Sequence, residues 1–200
     1  MGVKFRPVTS DLLGKINARA RKCQRERHRP TVAAVVICKK TGKILVVESA
    51  ATSEETLKTN PGIVKVGMNP QKEDALTALF REIKEEVFLS PDQLRVTGYG
   101  GSRSVRSLKR KGRLLKKRYF FFLVEYDGVE DLTINTSELS GYFWLTIKQA
   151  RKKISVLKET RLEKFRALDA VFKTVSTDVR RRSEEPRIRK PKSRKLSKNS

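Results

Sequence analysis

The stretch that decides the reading of this chain is Gly67-Met-Asn-Pro-Gln-Lys-Glu73-Asp-Ala-Leu-Thr-Ala-Leu-Phe-Arg81-Glu82-Ile-Lys-Glu85-Glu86-Val-Phe88-Leu89. Leu76, Leu79, Phe80, Ile83 and Val87 recur at spacings of three and four, which predicts a helix over 73–87 with one apolar face. Glu82, Glu85 and Glu86 stand at i, i+3 and i+4. At about 100° per residue they share one arc, clear of the apolar stripe. Three carboxylates placed together repel one another. A hard divalent cation bound by oxygens relieves the repulsion, and Mg²⁺ suits such a site because it also bridges to substrate phosphates. The plainer reading is a solvated acidic face, and the EIKEE string alone does not decide between them.

The wider spacing goes further. Gly67, five residues, Glu73, seven residues, Arg81-Glu82-Ile83, one residue, then Glu85-Glu86 resembles the Nudix box, G-x5-E-x7-R-E-U-x-E-E-x-G-U with U apolar. The one departure within it is Phe88, where the pattern has its last glycine. The resemblance extends over about residues 30–178. It implies an α/β Nudix fold, a mixed sheet sandwiched between helices. It implies a Mg²⁺- or Mn²⁺-dependent hydrolase that cleaves a phosphoanhydride bond in a nucleoside diphosphate derivative, either a nucleotide or the 5′ end of RNA. The glutamates matching Glu82, Glu85 and Glu86 would hold the metal, joined by the Gly67 carbonyl. Arg81 would orient Glu82, and Glu73 would pair with Arg81. The general base would be Glu138, six residues before Trp144, or Glu82 itself.

Two local features differ from the family pattern. A positive φ suits glycine and not Phe, so the helix is expected to end some other way than at Phe88, running on toward Ser90-Pro91. Val66-Gly67 replaces the glycine pair that many members carry before the box, which suggests a bulkier loop and a different substrate.

Around this centre the chain reads as a hairpin over 32–49, a short strand at Ile63–Val66, two strands within 94–126, another at 142–147, and helices near 147–154 and 158–175. Residues 9–27 read as a basic amphipathic helix capped by Thr9 or Ser10, striped by Leu12, Leu13, Ile16, Ala20 and Cys23, and ended by Pro30. It serves either as a helix packed on the domain or as a partner-binding arm. The resulting division is a basic extension over 1–29, a Nudix domain over 30–178 and a disordered basic tail over 179–200.

The net charge of +24 is not spread evenly. Residues 1–30, 103–118 and 180–200 carry all of it, and the remainder of the chain is neutral. Clustering of this kind attracts polyanions, RNA among them. Within the loop expected at 103–118, Arg103, Arg106, Lys109, Arg110 and Arg113 are the candidates for contacts to substrate phosphates. Tyr119, Phe120, Phe121 and Phe122 follow directly and read as at least half core, with base stacking as the rival use. The other reading of the whole chain is therefore a weakly catalytic or non-catalytic nucleic-acid-binding module on a Nudix scaffold.

Two cysteines, Cys23 and Cys38, cannot build a disulfide framework. The longest aliphatic run, Val32 to Cys38, is far too short to cross a membrane, and the N-terminus lacks an apolar signal core. These features point to a reducing, cytoplasmic setting with no membrane span.

Overall fold

The computed structural model describes residues 5–50, 60–108, 114–157 and 161–184 of the 200-residue chain. Seven strands form one mixed sheet: β1 (Arg29–Cys38), β2 (Ile44–Ser49), β3 (Pro61–Gly62), β4 (Lys65–Gly67), β5 (Leu94–Leu108), β6 (Leu114–Tyr126) and β7 (Leu139–Leu145). Among the described residues, four helices pack on it: α1 (Ser10–Arg25), α2 (Ala75–Val87), α3 (Ile147–Ile154) and, from Leu162 to Glu184, α4. The sheet runs β3-β2-β1-β6-β5, with β4 also paired to β1 and β7 to β2. The β1–β6 pair is parallel and the others are antiparallel.

Alternation along β1 and β6 divides the core into two layers. Val32, Ala34, Val36, Phe120, Phe122 and Val124 face α1 and α2. Ala33, Val35, Ile37, Phe121 and Leu123 face α3 and α4. Both faces of the central strands are covered, so all of Val32–Cys38 is buried, as continuous apolar strands require. The same geometry buries Tyr119, Phe120, Phe121 and Phe122 together. Their aromatic rings belong to the core and offer no platform for stacked bases.

The N-terminal helix packs on the domain through Ile16, Ala20 and Cys23. Thr9 caps it by accepting from the Leu12 amide at 3.2 Å. It ends at Arg25, before Pro30, through Arg27 at φ 58°, and Pro30 sits inside β1. Much of the expected cationic loop is strand: β5 continues to Leu108 and β6 begins at Leu114, leaving 109–113 outside the described residues. At the other end of the chain, α4 runs past Arg180 to Glu184, because the helix continues where a disordered tail is expected. The rest of that tail, 185–200, lies outside the described residues.

The helix carrying the glutamates does not run on to Ser90-Pro91. It stops at Val87, and Phe88 itself adopts the left-handed conformation (φ 49°, ψ 24°) that the missing glycine would have taken. The ring is 56% exposed, so little packing offsets a strain of about 1–2 kcal/mol. Phe88→Gly is accordingly expected to raise stability by about 1 kcal/mol, a shift of a few degrees in Tm by calorimetry. A lower Tm would show that the Phe88 ring holds the turn in place.

Candidate active site

Helix α2 is fixed at both ends. Asp74 caps its start, accepting from the Leu76 and Thr77 amides at 2.8 and 2.9 Å. Asn17 on α1 accepts from the Ala75 amide at 3.0 Å. Three amides that a helix start leaves without partners are thereby satisfied. At the far end, the Asn135 amide donates to the Glu86 carbonyl at 2.9 Å. Asn135 in turn organises the loop before β7: its carbonyl accepts from the Glu138 and Leu139 amides, and its side chain accepts from the Ser137 amide and hydroxyl. This carries Glu138 toward α2.

The result is a cluster of three carboxylates. Ligand oxygens of Glu82, Glu86 and Glu138 all lie within 4.8 Å of one another. Glu82 and Glu86 are buried, and Glu138 is exposed. Burial first, and then the neighbouring Glu86, push the Glu82 carboxyl up to about 8. Burial also raises Glu86, against the opposing pull of Lys65 on β4. One buried oxygen of Glu86, Oε2, has no hydrogen-bond partner among the described residues. Converging oxygens, raised carboxyls and an orphaned buried acceptor together fit a hard divalent cation.

The other box residues surround this cluster. Arg81 donates to both oxygens of Glu73, from Nε at 3.3 Å and Nη2 at 3.2 Å. Glu73 also accepts from the Asn69 amide at 3.1 Å, which ties the loop before α2 to the helix. The remaining Arg81 nitrogen, Nη1, stands 3.0 Å from Glu85 and 3.8 Å from Glu82. Glu85 is therefore held by Arg81 on the half-exposed flank, outside the group of three. Gly67 ends β4 opposite Thr31, where an added Cβ would collide with the Arg29 guanidinium.

The structure does not bring the cationic candidates to the carboxylates. Arg103 and Arg106 are on β5, with β6 and β1 between them and β4. They line a crevice of about 360 Å³ with Glu163 and Arg166 of α4, and Arg106 forms an ion pair with Glu163. Lys109, Arg110 and Arg113 lie outside the described residues. Sequence reasoning passed over Lys65 and Asn135, which touch the cluster electrostatically and through the backbone. A single lysine in a short strand and an Asn in a loop carry no spacing signal.

The raised Glu82 carboxyl has a consequence for stability. Its folded value exceeds the ordinary carboxyl value of about 4.3, so between the two the native state binds the extra proton. Stability should then fall as pH rises from about 4.5 to 8. Thermal melts in chelator are expected to show a decline in Tm across that range that Glu82→Gln flattens. Identical pH profiles for the wild type and the variant would contradict the burial of this charge.

The model of the NUDIX domain matches residues 27–168. Among solved structures, a C. elegans Ap4A hydrolase binary complex is similar in fold, with a TM-score of 0.56 at 18% identity over 76% of this chain and 97% of that one. The E. coli dihydroneopterin triphosphate pyrophosphohydrolase gives 0.51 at 14% identity, over 68% of this chain and 97% of its own. No curated protein sequence matches. A family match over most of the chain, carried on a mixed sheet between helices with the glutamates on α2, makes this protein a member of the Nudix family.

Proposed function

We propose that the protein hydrolyses a phosphoanhydride bond in a nucleoside diphosphate derivative, with Mg²⁺ or Mn²⁺ held by Glu82 and Glu86 and completed by Glu138. The observation that carries this reading is the buried carboxylate group itself, with its oxygens within 4.8 Å and one of them unpartnered. A divalent ion bound there would polarise a phosphoryl oxygen and offset the charge that develops as water attacks. Glu85, on the same helix, and the Gly67 carbonyl, at the end of β4, would add oxygen ligands.

The chain's own side chains supply position and proton transfer. Glu73 grips Arg81 through two hydrogen bonds, and Arg81 fixes Glu85 while leaning on Glu82. Glu85 and Glu82 are thus steadied by Arg81 before substrate arrives, and fixed geometry of this kind lowers barriers. Of the two candidate bases, Glu138 fits better. It is exposed and can pass a proton to solvent, whereas Glu82 is enclosed. No nucleophilic Ser, Cys or His is required. His28 precedes β1, outside the carboxylate group.

A panel of nucleoside triphosphates, ADP-ribose, dinucleoside polyphosphates, NAD and 5′-triphosphorylated RNA, assayed with Mg²⁺ or Mn²⁺, tests the reading. Glu86→Gln is expected to cut turnover by orders of magnitude while the fold persists. Glu138→Gln is expected to lower kcat by about 10²–10⁴-fold and to retain metal affinity better than Glu86→Gln does. Wild-type rates in Glu86→Gln would remove this face from the chemistry.

A further inference from the structure

Helix α1 packs on the sheet through Ile16, Ala20 and Cys23 and leaves Arg19, Lys22 and Arg25 exposed. With Glu26 and with Arg118 of β6 they line a crevice of about 580 Å³. Arg118 is half-buried, and its enclosed Nε has no hydrogen-bond partner among the described residues. A buried donor without an acceptor is unfavourable. Among the described residues, Arg19, Arg25 and Arg118 form no ion pair. The one acid of the crevice, Glu26, stands 3.9 Å from Lys22.

This crevice adjoins the one that Arg103, Ser104 and Arg106 line with Glu163 and Arg166. The register sets Ser104 directly opposite Arg118 and Arg103 opposite Tyr119. Phe120 faces α1, and Tyr119 faces the layer under α3 and α4. Strand alternation therefore puts Arg118 and Ser104 on the α1 face and Arg103 on the other. Strand β5 ends the sheet on its side, so the two crevices meet round its edge. One strand spacing, about 4.8 Å, separates the Ser104 backbone from that of Arg118. The fold thus joins cations of two segments, 1–30 and 103–118, that lie far apart in the sequence. None of them belongs to the carboxylate group on α2.

We propose that the two crevices form a track for the backbone of single-stranded RNA, separate from the site of hydrolysis. Each combines guanidinium groups with one carboxylate, Glu26 in the first and Glu163 in the second. Guanidinium groups bind phosphate oxygens through paired N–H donors. A carboxylate repels phosphate but accepts from a ribose 2′-hydroxyl, the group that distinguishes RNA from DNA. Free phosphate, or the side chains of an acidic peptide, would bring the anion without that donor. The rings of Tyr119, Phe120, Phe121 and Phe122 are buried, so the track holds backbone and does not read base sequence.

Fluorescence anisotropy of the full chain with a single-stranded RNA of about 12 nucleotides, in chelator, tests the track. A 5′-hydroxyl RNA has no phosphoanhydride bond, so binding is read apart from hydrolysis. Arg19→Gln with Arg25→Gln removes two cations from the first crevice, and Arg103→Gln with Arg166→Gln removes two from the second. Lys39→Gln with Lys40→Gln is the control, an equal charge change after β1, about 30 Å along that strand from Pro30, the partner of Arg118. Each crevice variant is expected to weaken binding by about tenfold and to flatten the slope of log affinity against log salt by about 1.4, or 0.7 for each of two lost phosphate contacts. The control should change affinity by less than about twofold. Unchanged affinity in either crevice variant, or an equal loss in the control, would overturn the track. Should the second double variant not fold, the exposed Arg166→Gln alone carries that arm, with a smaller loss in the same direction. DNA of the same sequence is expected to bind several-fold more weakly than RNA. Equal affinity for DNA, or displacement of RNA by polyglutamate or phosphatidylserine vesicles as readily as by unlabelled RNA, would also overturn it.

Discussion

Two carboxylates one helical turn apart, Glu82 and Glu86, are buried against each other, and the rest of the site answers to that constraint. Enclosed like charges are unfavourable unless a proton or a cation joins them. The fold keeps them in place by anchoring α2 from outside. Asn17 on α1 and Asp74 hold its start. The Asn135 loop holds its end and delivers a third carboxylate, Glu138, where a further negative charge is least welcome. Hydrogen bonds that gather repelling groups work against the stability of the chain alone, as a site built to take up a cation would.

The mixed sheet gives this cluster a setting with a polarity. Helices α1 and α2 cover one face and helices α3 and α4 the other. Short β4 sits on β1 beside the start of the glutamate helix. Negative charge collects on the α2 side of β4. In the first turn of α4, burial and the nearby Lys65 hold the Lys164 ammonium down, and Lys65 also pulls on Glu86.

Much of this was legible in the sequence because it is written in short-range periodicity. The 3.6-residue stripe Leu76, Leu79, Ile83, Val87 located α2, and the uninterrupted run Val32–Cys38 announced a strand buried on both faces. The box spacing fixed the family. The misreadings share one physical cause, the influence of parts far apart in the chain. Phe88 was expected to repel the left-handed turn, yet the loop that follows and the Asn135 contact hold the helix end where a glycine would have put it. Arg103 and Arg106 looked like loop residues by composition, but pairing with Tyr119 and Lys116 draws them into β5. Lys164 gave no signal at all, because its burial depends on Asn60 and Pro61 more than a hundred residues away.

The account stands on the claim that the enclosed carboxylates are relieved of their mutual repulsion by a proton in the free protein, and that a divalent cation takes the place of that proton. Mn²⁺ titration by calorimetry at pH 7, repeated in two buffers of different ionisation enthalpy, reads the protons exchanged on binding. Because burial and Glu86 push the Glu82 carboxyl up to about 8, binding of the ion at this pH should release protons, and Glu82→Gln should reduce that release. Mn²⁺ binding with no proton release, or with the same release in Glu82→Gln, would contradict it.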